Sequence, residues 1–223
     1  MRKSFVVWLG VAAVMFAVAP VLVVRAPYES TMGLVQKIFY YHAPLGMMMF
    51  LSAFVSGIAA GIFIFNGRAT ADHVSLAAAE ITVLFGSLVL ITGPMWARKA
   101  WGVWWHWDAR LTSSLLLWMI FAAYLLVRRY GGPGSDKLSA AVALFGMANV
   151  PFVYVSVNVW RTLHPKTSVV PTLQPGMREV FWFCVAAFAV LYGVLLALRV
   201  RLATQQAEVE RLYLELDDQS ELS

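Results

Sequence analysis

Six apolar, nearly uncharged runs dominate this sequence, at 4–24, 43–65, 74–94, 112–127, 138–160 and 179–198. About 20 such residues, rising ~1.5 Å each as a helix, cross the ~30 Å hydrocarbon core of a bilayer. In lipid a backbone must satisfy its own hydrogen bonds, so each run is expected to be a helix. Only 13% of the 223 residues are charged and 61% are apolar, where a soluble domain carries roughly 25% charge. The expected fold is an all-α integral membrane protein with six transmembrane helices and a Trp-rich outer-face segment between helices 3 and 4. Residues 1–199 form the membrane domain and 200–223 a polar cytoplasmic tail.

The runs carry internal signals. Ala17-Val18-Ala19 resembles a signal cleavage site, but Pro20 follows it and the apolar run continues, so the first run is read as an uncleaved span behind Arg2 and Lys3. Ser52, Ser56 and Ala60, beside Gly57 and Gly61, make a stripe of small residues that lets another helix approach closely. Glu80 is the one acid well inside a span. It is either functional or paired with a neighbouring helix. Gly93-Pro94 is expected to end the third helix, and Pro151 to kink the fifth. The tail is either a solvated, partly disordered segment or a docking helix with an apolar stripe at Leu202, Val209, Leu212, Tyr213 and Leu216.

The lone Cys184 excludes an internal disulfide or a cysteine-rich metal site. The net charge of +5 is scattered over span ends, with no nucleic-acid motif. Six spans put both termini on one side. Nine Lys and Arg fall on that side and eight on the other, so charge barely decides orientation. The pair Arg128-Arg129 and the basic N-terminus favour cytoplasmic termini. Three loops, 25–41, 95–111 and 161–178, then face outward, and their surplus of cations is expected to serve a ligand.

The outer stretch 96–112 holds five of the nine tryptophans, with Arg98, Lys99, His106, Asp108 and Arg110. Such indoles can simply form an interfacial belt that sets depth. If the stretch is helical, Trp101, Trp104, Trp105 and Asp108 share one face, with Lys99, His106 and Arg110 on another. That is a flat aromatic shelf with a cationic rim, suited to a planar anionic ligand. His42, His106 and His164 fall one per outer loop. Haem iron takes axial imidazoles, porphyrin stacks on indole, and Arg98, Lys99, Arg110, Arg161 and Lys166 could pair its propionates. Spacing alone leaves His106 open as a ligand.

The string Trp101-Gly102-Val103-Trp104-Trp105-His106-Trp107-Asp108-Ala109-Arg110-Leu111-Thr112 resembles the WWD signature of membrane haem-handling proteins. The six-span length resembles the haem exporter protein C (CcmC) family of the cytochrome c maturation system. The resemblance implies a haem site on the outer face, with haem (haem b) held by the WWD segment, here Trp101, Trp104, Trp105, Trp107, Asp108 and Arg110. It implies axial ligation of the iron by His42 and His164, and leaves His106 outside the ligand set. It implies presentation of haem to a periplasmic haem chaperone from the bacterial inner membrane. The implied partners are an ATP-binding cassette subunit, a second membrane subunit and a small single-span subunit, besides membrane lipid; no nucleic acid is expected.

The sequence carries no Walker motif, no Ser/His/Asp arrangement and no paired catalytic carboxylates. A haem-binding and transfer subunit, with ATP hydrolysis in a partner, is therefore expected rather than an enzyme. The alternatives are a membrane haem lyase or a bis-histidine haem redox subunit. The short chain argues against the first. A single outer-face site argues against the second.

Overall fold

The computed structural model describes residues 3–166 and 168–221, with side chains through 219. Arg2, taken as a flank of the first span, and residues 222–223 of the tail lie outside the described residues. The helices are α1 (Lys3–Arg25), α2 (Phe39–Asn66), α3 (Ala69–Trp101), α4 (Ala109–Tyr130), α5 (Ser135–Val159), the single turn α6 (Val169–Thr172) and α7 (Pro175–Glu221), with a 3-10 segment at Leu34–Ile38. Six of these helical segments are long and apolar enough to cross a membrane.

Two boundaries differ from the sequence expectation, and the tail takes the helical one of its two readings. α3 does not stop at Gly93-Pro94 but continues to Trp101. Pro94 removes a single N–H, whereas ending the helix there would free several backbone groups in an apolar surrounding. The real stop is Gly102, at φ 78°, a left-handed conformation that glycine adopts without steric cost. The stretch 96–112 is therefore not one helix, and the shared face of Trp101, Trp104, Trp105 and Asp108 does not form. α2 starts at Phe39, so His42 sits in its first turns rather than in a loop. The tail is helical, because α7 runs unbroken for 47 residues. A salt bridge from Arg211 to Glu208, 2.6 Å, supports its exposed end.

α2 is the central helix. It packs on α3, α5 and α7, while α4 packs on α5 and α1 lies against α7. The stripe of small residues explains the first of these contacts. The Ser52 hydroxyl donates to the Ala78 carbonyl at 2.7 Å, and Ser56 donates to that of Ser75 at 2.9 Å. On the α5 side, a Cβ at Gly57 would sit 2.4 Å from Met147 Cβ, so only glycine permits that approach. Met49, Phe85, Leu117, Phe121 and Tyr124 fill the centre. In lipid these contacts stabilise by close packing rather than by leaving water.

Two ion pairs tie helices together towards the end that holds the termini. Arg128 on α4 grips both oxygens of Asp72 on α3, one contact at 2.9 Å. Arg199 on α7 grips Glu80 on α3. Glu80 is thus a pairing residue, the second of its two sequence readings.

Candidate functional site

The opposite end of the bundle holds a half-open cavity of about 360 Å³, within the ~300–1,000 Å³ common for small-molecule sites. Its walls come from the ends of α2, α3, α4, α5 and α7 on that side and from the 160s loop. His42 on α2 and His164 on the loop both line it, although they lie at distant points of the chain. Trp101, Trp105, Arg110 and Lys166 line it as well.

Each imidazole is anchored through one nitrogen. His42 Nδ1 lies 2.8 Å from the Thr92 hydroxyl, and Gly93 leaves room for the ring, since a Cβ there would lie 3.2 Å from His42 Cε1. His164 Nδ1 lies 2.9 Å from the Pro165 carbonyl oxygen, which can only accept. His164 therefore carries its proton on Nδ1 and leaves Nε2 as a lone pair. Burial, and after it the positive Arg110 guanidinium, depresses the His164 imidazole to about 4. It is neutral at physiological pH, as a metal ligand must be.

Arg110 donates to the Val153 carbonyl at 2.5 Å and covers the Phe50 ring at 5.4 Å. Asp108 lies behind the wall. As N-cap of α4 it accepts the Leu111 N–H at 2.8 Å. It also accepts the Thr162 hydroxyl and the Leu163 N–H. The Thr162 oxygen in turn accepts the His164 N–H at 3.0 Å. Asp108 thus ties the Trp-rich segment to the loop that carries His164.

The tryptophans divide. Trp101 ends α3 and Trp105 lies on the irregular segment, both against the cavity. Trp104 and Trp107 are 60% and 74% exposed and do not line it, although the Trp107 ring meets that of Trp105 edge-on at 5.6 Å. With the helix broken at Gly102, the segment is irregular and its side chains do not share one face. His106 is exposed, 3.9 Å from Asp108, and outside the cavity. Nor do all the cations that the sequence reading assigned to a ligand line the cavity. Lys37 is buried and donates to the carbonyls of Val23, at 2.7 Å, and Ala26, capping the end of α1. Arg98 bonds the Gly102 carbonyl. Helix C-terminal carbonyls need donors, and that need, invisible in a charge count, absorbs part of the surplus.

Thr92, Thr162 and Trp96 went unrecognised in the sequence. Trp96 lay inside the marked stretch; the two threonines carried no signal, because their significance comes from neighbours distant in sequence.

A large planar iron chelate fits this donor set. The indole N–H groups of Trp96 and Trp105 are buried without a hydrogen-bond partner, both on cavity residues. Among the described residues no three His, Cys, Asp or Glu side chains gather to hold a bare metal. Two imidazoles with aromatic walls suit instead a metal that arrives with its own equatorial ligands.

Comparison with known proteins agrees in kind. The family model described as Heme exporter protein C matches residues 1–215. The Heme exporter protein C of Bradyrhizobium diazoefficiens is 32% identical over 208 residues, covering 92% of this chain and 78% of that protein. The Escherichia coli K12 protein of the same name is 29% identical over 211 residues, with 88% and 82% covered. That of Haemophilus influenzae is 29% identical over 194 residues, with 83% and 78% covered. A match running from the first span well into the extended α7, through both histidines and the whole Trp-rich segment, shows that the chain belongs to the heme exporter protein C family.

Proposed function

We propose that this chain is a bacterial inner-membrane subunit that binds haem at the cavity and presents it to a periplasmic haem chaperone for cytochrome c maturation. In this reading the termini are cytoplasmic and the cavity opens on the periplasmic side. The chain hydrolyses no ATP; an ATP-binding cassette subunit, a second membrane subunit and a small single-span subunit complete the assembly.

One observation carries the reading: His42 and His164 face one aromatic-walled cavity. Haem supplies a planar iron centre with open axial positions. His42 and His164 hold the iron, Trp101 and Trp105 cover the porphyrin, and Arg110 and Lys166 pair its carboxylates. The family's name and its relatives' names support haem as the cargo. The outward-facing Trp104 and Trp107 provide an aromatic surface beside the cavity for the chaperone. Asp108 orients rather than touches the cargo.

The test is the absorption spectrum of the purified protein, wild type against His42→Ala and His164→Ala. A haem band in wild type that shifts or disappears in both variants supports the assignment. A wild-type band unchanged by either substitution overturns the ligand pair, and absence of haem after reconstitution overturns the function.

A further inference from the structure

The bond between His42 and Thr92 has a direction. The Thr92 hydroxyl has a single proton, and its oxygen lies 2.7 Å from the Leu88 carbonyl oxygen one helical turn back. Two oxygens that close require a proton between them, and a carbonyl has none to give. The Thr92 proton is therefore committed to Leu88. The contact at 2.8 Å to His42 Nδ1 is then favourable only if that nitrogen carries the hydrogen and Thr92 accepts it.

We infer that Thr92 is a positioning residue that locks His42 as the Nδ1–H tautomer, leaving the Nε2 lone pair as its only site for a metal. The inference rests on the haem reading for its purpose, but not for its geometry. His164 reaches the same state by a different route, through the accept-only carbonyl of Pro165. Two unrelated devices thus produce one outcome: in its neutral form each ring keeps its proton on Nδ1 and leaves Nε2 free. A metal-bound imidazole commonly donates its second ring N–H to such a partner, which fixes ring orientation and raises ligand basicity. The Leu88–Thr92–His42 relay spans α3 and α2, so the lock depends on α3 continuing as a helix to Thr92 and beyond. The close fit of the His42 ring against Gly93 sets where the ring lies.

The experiment uses the full-length protein without haem, with 15N-labelled histidine, as wild type, Thr92→Val and Thr92→Ser. Val keeps the shape and removes the acceptor; Ser keeps the acceptor. The His42 signals, assigned with a His42→Gln variant, report which ring nitrogen holds the proton. The expected wild-type state is Nδ1–H, retained in Thr92→Ser and lost to a tautomer mixture in Thr92→Val. Haem titration should then show affinity in Thr92→Val lowered on the order of 10–100-fold, with Thr92→Ser near wild type. Protonation at Nε2 in the wild type, or an unaltered tautomer and affinity in Thr92→Val, overturns the inference. A wild type with the Nδ1–H tautomer that takes up no haem leaves the lock intact and overturns the haem reading instead.

Discussion

Arg199 near the middle of α7 and Glu80 on α3 meet in a two-point ion pair, Nε to Oε2 and Nη2 to Oε1 both at 2.5 Å. The two side chains are 33% and 29% exposed, so the pair lies between a solvated and a buried bridge. Glu80→Ala would leave the Arg199 guanidinium unmatched beside apolar helices. The expected loss is on the order of 2 kcal/mol, between the ~1 of surface pairs and the ~3–5 for breaking buried ones. Thermal unfolding in detergent should show a lower Tm for either single alanine variant and less than the summed loss for the double. Strictly additive losses would mean that the pair contributes no coupling.

On the proposed function, the division of the tryptophans separates haem binding from delivery to the proposed chaperone. Trp101→Ala and Trp105→Ala remove walls of the cavity and should weaken haem binding, read by titration of the absorption band. Trp104→Ala and Trp107→Ala remove exposed surface and should leave that titration unchanged while slowing loading of the chaperone. Equal effects of all four on haem affinity would contradict the inward and outward faces described above.

Asp108 acts through what it holds. Asp108→Ala releases the N-cap of α4, worth about 1 kcal/mol, and frees Thr162 and the Leu163 N–H at the same time. The 160s loop should become more susceptible to protease, and haem affinity should fall because His164 is no longer held. An intact loop with unchanged affinity in Asp108→Ala would remove it from the site.

His164 sets a pH window. Its value of about 4 in the folded chain lies below the 6.5 of a free imidazole, through burial first and Arg110 second. Between those values the unfolded chain binds a proton that the folded chain refuses, so unfolding is favoured as pH falls. The contribution is fully present above about pH 6.5 and is lost as pH drops towards 4. Hydrogen exchange in residues 160–166 of the haem-free protein should accelerate across that window and be flat from pH 7 to 8. His164→Gln should abolish the dependence.

The sequence by itself determined the number of spans, because apolar length is a local property that the bilayer imposes without reference to neighbours. It also determined that α2 takes a close helical neighbour, since small residues at helical spacing leave space another helix can fill, though not that α3 and α5 are the neighbours. The unusual Trp, His, Asp and Arg content of the outer segments was legible for the same local reason. Tertiary structure alone decided the rest. Gly102 breaks the Trp-rich stretch and sends Trp104 and Trp107 outward, where periodicity had put Trp104 on the face of Trp101. α3 runs through Pro94 because a membrane helix loses less by missing one bond than by ending. Lys37 turns inward to cap α1, whereas a charge count gave it to the ligand. The meeting of His42 with Thr92 and of Asp108 with Thr162 depends on how helices far apart in sequence pack, and no periodicity or composition encodes a contact of that kind.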